Sequence, residues 1–415
     1  MKFKKYISLF IFTAFATLSF AADDYAKSSY KSIRSMGMGG TNVVAGFDES
    51  ALLYNPALLK VMKGHKISFP SVNFSANSDT FDLMDAIQDL SDDADKINDE
   101  QNMLKLMQAY LNGETITVDE DNGSVTLNSN KNKIPDKYLR GEFNSFTGFV
   151  NETCGFGVFS NVKSNQIGLT GDKVNPGIVI NGEGNLEVPV GVAFKVFNNI
   201  DIGASVRYIM SYKADKTLHY TELSDLSDEG LTDNEKLSIM NVEKAVGYGV
   251  NLGAVMELQK LNVAMSLRDP ISKVQTSKYV KNSSNVYELT DVDKKSLPTN
   301  LSLGLSNKPY IDGKQRKFFW AVEVENLLNK DLNGDGYKDK SFFKKLHAGT
   351  ELYVLDWPGF DIKLRAGLNQ GYITYGASMK IFVAELEYAN YTEELGPHAG
   401  MDKNTVNSLG MTVRF

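Results

Sequence analysis

The sequence predicts an all-β protein, a transmembrane antiparallel barrel of about 14 strands. Three observations predict it. The chain opens with an export signal, yet beyond that signal it holds no apolar run near the roughly 20 residues that a helical span requires. An exported chain of this kind enters a bilayer only as a closed barrel, because only helices and closed barrels satisfy every backbone group in lipid. Segments of about ten residues alternate apolar with small or polar side chains, and the connections between them are short and long in turn, as at the two rims of an outer-membrane barrel.

The signal is residues 1–21, MKFKKYISLFIFTAFATLSFA, with Lys2, Lys4 and Lys5 ahead of an apolar run and small Ser19 and Ala21 at the cleavage site. Cys154 is the only cysteine, so no internal disulfide forms and a disulfide-stapled secreted scaffold is excluded. A net charge of −7 argues against a nucleic-acid partner.

Residues 22–64 precede the first strand. Their central stretch, SMGMGGTNVVAGFDESALLYNPALLK from Ser35 to Lys60, is too glycine-rich for a helix and too irregular for a strand. Gly37, Gly39 and Gly40 allow tight reversals and close backbone approach. Pro56 fixes its own φ and pushes Asn55 out of the helical region, leaving the Asn55 amide free to satisfy buried backbone groups. Read alone, Asn55-Pro56-Ala57 is also a plain turn into the first strand.

Residues 65–415 carry the alternation. Leu186, Val188, Val190, Val192, Phe194 and Val196 share one face, with Glu187, Gly191, Ala193 and Lys195 opposite. Ile202, Ala204, Val206, Tyr208, Met210 and Tyr212 repeat the pattern against Gly203, Ser205, Arg207 and Ser211. The last segment sets Leu409, Met411, Val413 and Phe415 against Ser408, Gly410, Thr412 and Arg414. Expected strands lie near His65–Ser78, Leu139–Val150, Cys154–Gln166, Leu186–Phe197, Ile202–Lys213, Ala245–Leu258, Leu261–Val274 and Leu297–Ser306. Six more lie near Phe318–Leu328, Lys345–Leu355, Phe360–Leu368, Tyr372–Lys380, Phe382–Thr392 and Val406–Phe415. A soluble sandwich would alternate in the same way, and the connections decide between the two. NET, NNID, LQK and DWPG are tight turns, while Ala214–Lys244 and Lys278–Ser296 are long and acidic. Asn369–Gly371 is short where a long loop is expected.

Two stretches depart from the wall. Within an insertion at 79–138, Phe81, Met84, Ile87, Leu90, Ala94 and Ile97 recur at helical spacing, continued by Met103, Leu106 and Tyr110. This external helical insertion is either a pair packed on its neighbours or a lid over a hydrophobic entry. DLNGDGYKD offers Asp331, Asn333, Asp335 and Asp339 as oxygen ligands, with Tyr337 able to offer its carbonyl. Phe342 stands where a bidentate glutamate belongs, so the loop is expected to hold calcium weakly or to be a solvated hairpin tip.

The expected inner face carries Lys195, Arg207, Arg268, Lys363, Arg365 and Lys380 beside Glu187, Glu323, Glu325, Glu385 and Glu387. Such charges pair and stiffen a wall; alternatively Arg207 or Arg365 meets a ligand carboxylate. His65, His219, His347 and His398 lack metal-ligand spacing, and no nucleophile elbow or phosphate loop occurs, so no enzyme is expected.

The stretch GMGGTNVVAGFDESALLYNPALLK resembles the N-terminal hatch of the FadL-type family, outer-membrane transporters of long-chain fatty acids and other hydrophobic compounds. The Asn-Pro-Ala motif of that family aligns with Asn55, Pro56 and Ala57, behind the glycine turn at Gly37, Gly39 and Gly40. The MGMGGT wording and the run ELEYANYTEELG look more like the divergent conjugation-associated and secretion-scaffold relatives. The resemblance implies a hatch inside a barrel, bacterial outer-membrane residence among lipid, and a hydrophobic ligand such as a long-chain fatty acid. In the divergent relatives it implies instead a protein partner at the external loops. Terminal Phe415 on an amphipathic strand resembles the signal read by the barrel assembly machinery.

Overall fold

A computed structural model describes residues 30–78, 80, 114–118, 125–131, 138–171, 176–219, 232–281, 287–311, 314–328, 342–395 and 400–415. The signal segment, the helical pattern beyond Thr80 and the oxygen-rich loop at 331–339 lie outside them.

Fourteen strands form a closed wall: β1 His65–Asn77, β2 Leu139–Asn151, β3 Cys154–Gly171, β4 Pro176–Phe197, β5 Ile200–His219, β6 Glu243–Glu257 and β7 Leu261–Lys281. β8 Asn300–Asn307, β9 Phe318–Val324, β10 Leu346–Trp357, β11 Phe360–Asn369, β12 Tyr372–Ile381, β13 Ala384–Glu394 and β14 Lys403–Arg414 complete it. Each strand pairs antiparallel with its sequence neighbours in the wall, and β1 closes on β14 with Ser71 opposite Thr412 and Phe74 opposite Leu409. Every strand expected from the alternation is present. Closure leaves the wall without an exposed edge.

The pleat sorts the side chains as the alternation requires. Along β4, Val190, Val192, Phe194 and Val196 are exposed outward, while Glu187 and Ala193 are buried inward. Val206 and Tyr208 on β5, Leu409 and Met411 on β14, and Leu364 and Leu368 on β11 continue an apolar belt around the outside.

The insertion expected to be helical over 79–138 carries an antiparallel pair of strands, Glu114–Val118 and Val125–Lys131, whose β-branched residues favour extended chain. The rims differ from the expectation elsewhere too. Three connections expected to be long loops are partly strand. β3 and β4 run on to Gly171 and Pro176, with the apolar pair Ile167 and Ile180 opposite each other in the extended ladder. β5 likewise reaches His219, and a short strand, Tyr287–Lys295, folds back on β7. Ahead of β6, helix Asp233–Ile239 begins at a capping box of Thr232 and Glu235. The wall is therefore taller from β3 to β7 than from β8 to β13. The short connection at Asn369–Gly371 is a two-residue reversal with Gln370 and Gly371 both at positive φ, which suits the twist of a hairpin.

Residues 30–64 run inside the wall. They form two short helices, α1 Ile33–Gly37 and α2 Ala51–Tyr54, and a tight turn, Pro56–Lys60. The core of the molecule lies between this segment and the inner face. Met38, Val43, Val44, Leu52, Leu58 and Leu59 pack on Val150, Ala193, Val255, Ala264, Phe319 and Ala321.

Candidate functional site

The luminal segment folds on its own residues first. Gly39 and Gly40, at φ 72° and 83°, reverse the chain after α1, a conformation that a Cβ disfavours. Asn55 is extended at φ −151°, as the following proline demands. Its amide then joins the two halves of the segment: Nδ2 donates to the Val43 carbonyl at 2.7 Å, and Oδ1 accepts from the Ala57 amide at 3.2 Å.

The segment next meets the wall at two glycine seats. Gly203 on β5 and Gly253 on β6 stand opposite each other, and a Cβ on either would strike Pro56, Ala57 or the Asn55 side chain. Gly191 on β4 lies against Leu52 in the same seat. Across the barrel, Gly349 on β10 and Gly367 on β11 are also paired, and a Cβ on either would strike Met38 or Gly39. Gly376 on β12 abuts Gly37 there. Wall side chains bond the segment's backbone between these contacts. Ser205 donates to the Leu52 carbonyl at 2.6 Å, Asn251 to that of Leu53 at 3.1 Å, and Ser266 to that of Tyr54. Thr374 accepts from the Gly39 amide at 3.0 Å, and His347 Nδ1 lies 2.8 Å from the Gly39 carbonyl oxygen.

Ionic contacts complete the seal. The Glu323 carboxyl group accepts from the successive amides of Asn42, Val43 and Val44 at 2.7, 2.9 and 2.7 Å, a nest of three backbone donors around its two oxygens. Arg34 grips Glu351 through two 3.0 Å hydrogen bonds. Burial opposes the charge on Arg34, but Glu351 outweighs it and holds the guanidinium above its ordinary value. Arg414 reaches Glu49 at 2.9 Å and Glu385 at 2.8 Å. Asp48 accepts from the Ser50 amide at 2.9 Å; burial works against its ionisation, yet Arg414, Lys66 and Arg34 together hold its carboxyl below the usual range.

Above the seal lie an aromatic cluster and a polar band. Tyr30 and Phe146 flank Phe159 with ring centroids 4.5 and 4.3 Å away, and Tyr54 joins them. Glu142, Asn144, Asn161, Asn185 and Ser211 form one hydrogen-bonded chain across β2 to β5.

Arg207 and Arg365, for which a ligand carboxylate is the alternative to pairing within the wall, are both paired. Arg207 lies between Glu187 at 2.5 Å and Asp269 at 2.6 Å. Arg365 donates to Glu351 at 2.8 Å, Glu387 at 2.9 Å and Ser378 at 3.0 Å. For either to take a ligand carboxylate, these pairs must exchange. Lys363 pairs with Glu385 and Lys195 with Glu257, each at 3.1 Å, and Lys380 is half-buried. Among the described residues no cluster of histidine, cysteine, aspartate and glutamate has the makings of a metal site.

The glycine seats escaped the sequence reading, as did the Arg34 and Glu323 latches. The seats have a signal, because all six of their glycines fall on inward positions of their strands. The latches join residues about 280 to 320 apart and need the register to be seen.

No family model matches the chain, and no curated protein matches it. Solved structures do. The chain is similar to FadL-type channels. The Ralstonia pickettii toluene transporter TbuX is 14% identical, aligned over 93% of this chain and 99% of its own, with a TM-score of 0.46. The Pseudomonas putida toluene transporter TodX is 12% identical over 95% and 99%, also with a TM-score of 0.46. A Pseudomonas aeruginosa FadL homologue is 10% identical over 95% and 99%, with a TM-score of 0.45.

Proposed function

We propose that this chain is an outer-membrane channel that binds hydrophobic small molecules, long-chain fatty acids among them, and passes them inward when residues 30–64 shift as a hatch. The observation that supports the reading is that residues 30–64 lie inside the wall, seated on glycines and joined to it by hydrogen bonds, ion pairs and apolar packing. A barrel needed only as an anchor has no use for a closure held this way. The apolar outer belt matches a lipid surface. Each methylene that a ligand buries contributes about 0.8 kcal/mol, so a long acyl chain is favoured over a short one. The hatch must then have two arrangements whose balance the ligand alters.

A second reading is a non-transporting barrel whose external face holds a protein partner. The strand Tyr287–Lys295 favours it, because residues 288–295 are all exposed and, among the described residues, one of its edges has no partner strand.

Uptake of labelled oleate by cells lacking their own transporter separates the two. Cells expressing the wild-type chain, checked for outer-membrane assembly, are expected to exceed the empty-vector background. Asn55→Ala, which unties Val43 from Ala57, is expected to change that uptake. Background uptake by well-assembled wild type would favour the partner-binding barrel.

A further inference from the structure

One ladder of the wall differs from the rest. Every other ladder joins strands that follow one another in sequence, so the chain itself tethers the pair. β1 and β14 have no such tether: Ser75 and Ser408 share a hydrogen bond of 2.6 Å across a separation of 333 residues. Bringing such distant parts of a chain together costs more entropy than closing a hairpin. The seam is also interrupted. Between Ser68↔Arg414 and Ser71↔Thr412 the register slips past Phe69 and Pro70, and proline has no amide to donate. Below the slip, among the described residues, the seam continues only as Ser68 opposite Arg414 and the reciprocal amide bonds of Ile67 and Phe415, at 3.1 and 3.0 Å.

The luminal segment spans this seam at two levels and holds both of its sides at each. Beside the slip, the Phe47 carbonyl accepts from Lys66 on β1, while Glu49 pairs with Arg414 on β14 at 2.9 Å. Glu49 is fully buried, where solvent and salt screen an ion pair little. Higher up, Tyr30 packs on Phe159 of β3, itself against Phe146 of β2. Ile33 and Met36 pack on Ala389, Tyr391 and Val406 of β13 and β14. Ile33 lies on the seam itself: Gly410 of β14 stands opposite Asn73 of β1, and a Cβ on Gly410 would strike the Ile33 side chain. The segment also touches facing glycines of β5–β6 and of β10–β11, but those pairs have their own connections.

We infer that residues 30–49 have a further function, fastening the seam on which the barrel closes. They give β1 and β14 a common partner in place of the covalent tether that the other strand pairs possess. The role is independent of the uptake reading, because a barrel that only holds a protein partner has the same seam.

The test is hydrogen exchange in the full-length protein in lipid nanodiscs. It compares seam amides, 71–77 and 406–412, with those of the β5–β6 ladder, 202–210 and 246–254. Ile33→Ala with Glu49→Gln alters the segment and leaves every strand residue in place. Seam amides are expected to exchange at least tenfold faster in this double variant, and β5–β6 amides at the wild-type rate. A second form locks the seam by Ser71→Cys with Thr412→Cys, whose native hydroxyl oxygens lie 2.7 Å apart, on a Cys154→Ser background. With that disulfide formed, the double variant is expected to protect its seam amides as well as the locked parent does. Equal acceleration in both ladders, acceleration confined to residues 30–64, or a seam loosened as much with the disulfide as without it would overturn the inference. Should the double variant fail to fold, rescue by the disulfide would support the inference and failure in both forms would overturn it.

Discussion

At the residue scale the closure depends on what is missing as much as on what is present. A Cβ at Gly203 has no room beside Pro56, whereas one at Gly141 meets only the Ser75 carbonyl oxygen, at an ordinary 3.5 Å. Gly203→Val is therefore expected to lift the Asn55–Ala57 turn from its seat, at a cost of about 1–3 kcal/mol for overpacking. Gly141→Ala is expected to be tolerated. Hydrogen exchange of the amides between 42 and 60 checks this, rising in the first variant and unchanged in the second. Arg207 gives a second prediction. Replacing it with methionine leaves Glu187 and Asp269 buried without their cation, a loss of about 3–5 kcal/mol that thermal unfolding of the barrel would register. Asp48 gives a third. Its folded carboxyl is held below the ordinary value, so its contribution is present above about pH 4 and is lost as the pH falls through the folded value. Protection factors of residues 42–54 are expected to fall on acidification below about pH 4, more in wild type than in Asp48→Asn, which has already lost the contribution.

At the element scale the wall was legible and its overhangs were not. A strand with lipid on one side and the lumen on the other carries period-2 alternation, and β4 from Leu186 to Phe194, β5 from Ile200 to Tyr212 and β14 show it. The strand Tyr287–Lys295 is exposed throughout from residue 288, so Glu288, Thr290, Asp291 and Lys294 give no buried face to alternate against. Asp269 marks the limit from the other side. Alternation places it opposite Arg268, and only the bulge brings both into the lumen. The hatch was legible where it is local. Asn55 bonds two residues on to Ala57, which the Asn-Pro-Ala order implies, while Glu323 reaches Asn42 through the closed barrel and no short-range pattern announces it. Glu323→Gln leaves the nest of amides one acceptor oxygen in place of two and is expected to loosen residues 42–44 while leaving the outer wall intact. Exchange of those amides against the amides of β4 measures the difference.

At the scale of the whole molecule, fourteen strands make a closed cylinder, and residues 30–64 run inside it, packed on its inner face. The wall and the luminal segment meet through apolar packing, glycine seats, hydrogen bonds and a few ion pairs, none of which belongs to the strand ladder itself. The proposed function requires residues 30–64 to move for a ligand to pass. The native chain offers a place to prevent this: Val44 Cβ lies 2.9 Å from the position that a Cβ on Gly304 would take, a small shift from the usual Cβ–Cβ separation of a disulfide, about 3.8 Å. With Cys154→Ser to remove the native thiol, Val44→Cys and Gly304→Cys tie the hatch to β8. The decisive measurement is oleate uptake by cells carrying this triple variant, oxidised and then reduced, with cross-linking verified by mass spectrometry. Uptake that is blocked when the bridge is closed and restored by reductant is the predicted result; equal uptake in both states would contradict a channel gated by its hatch.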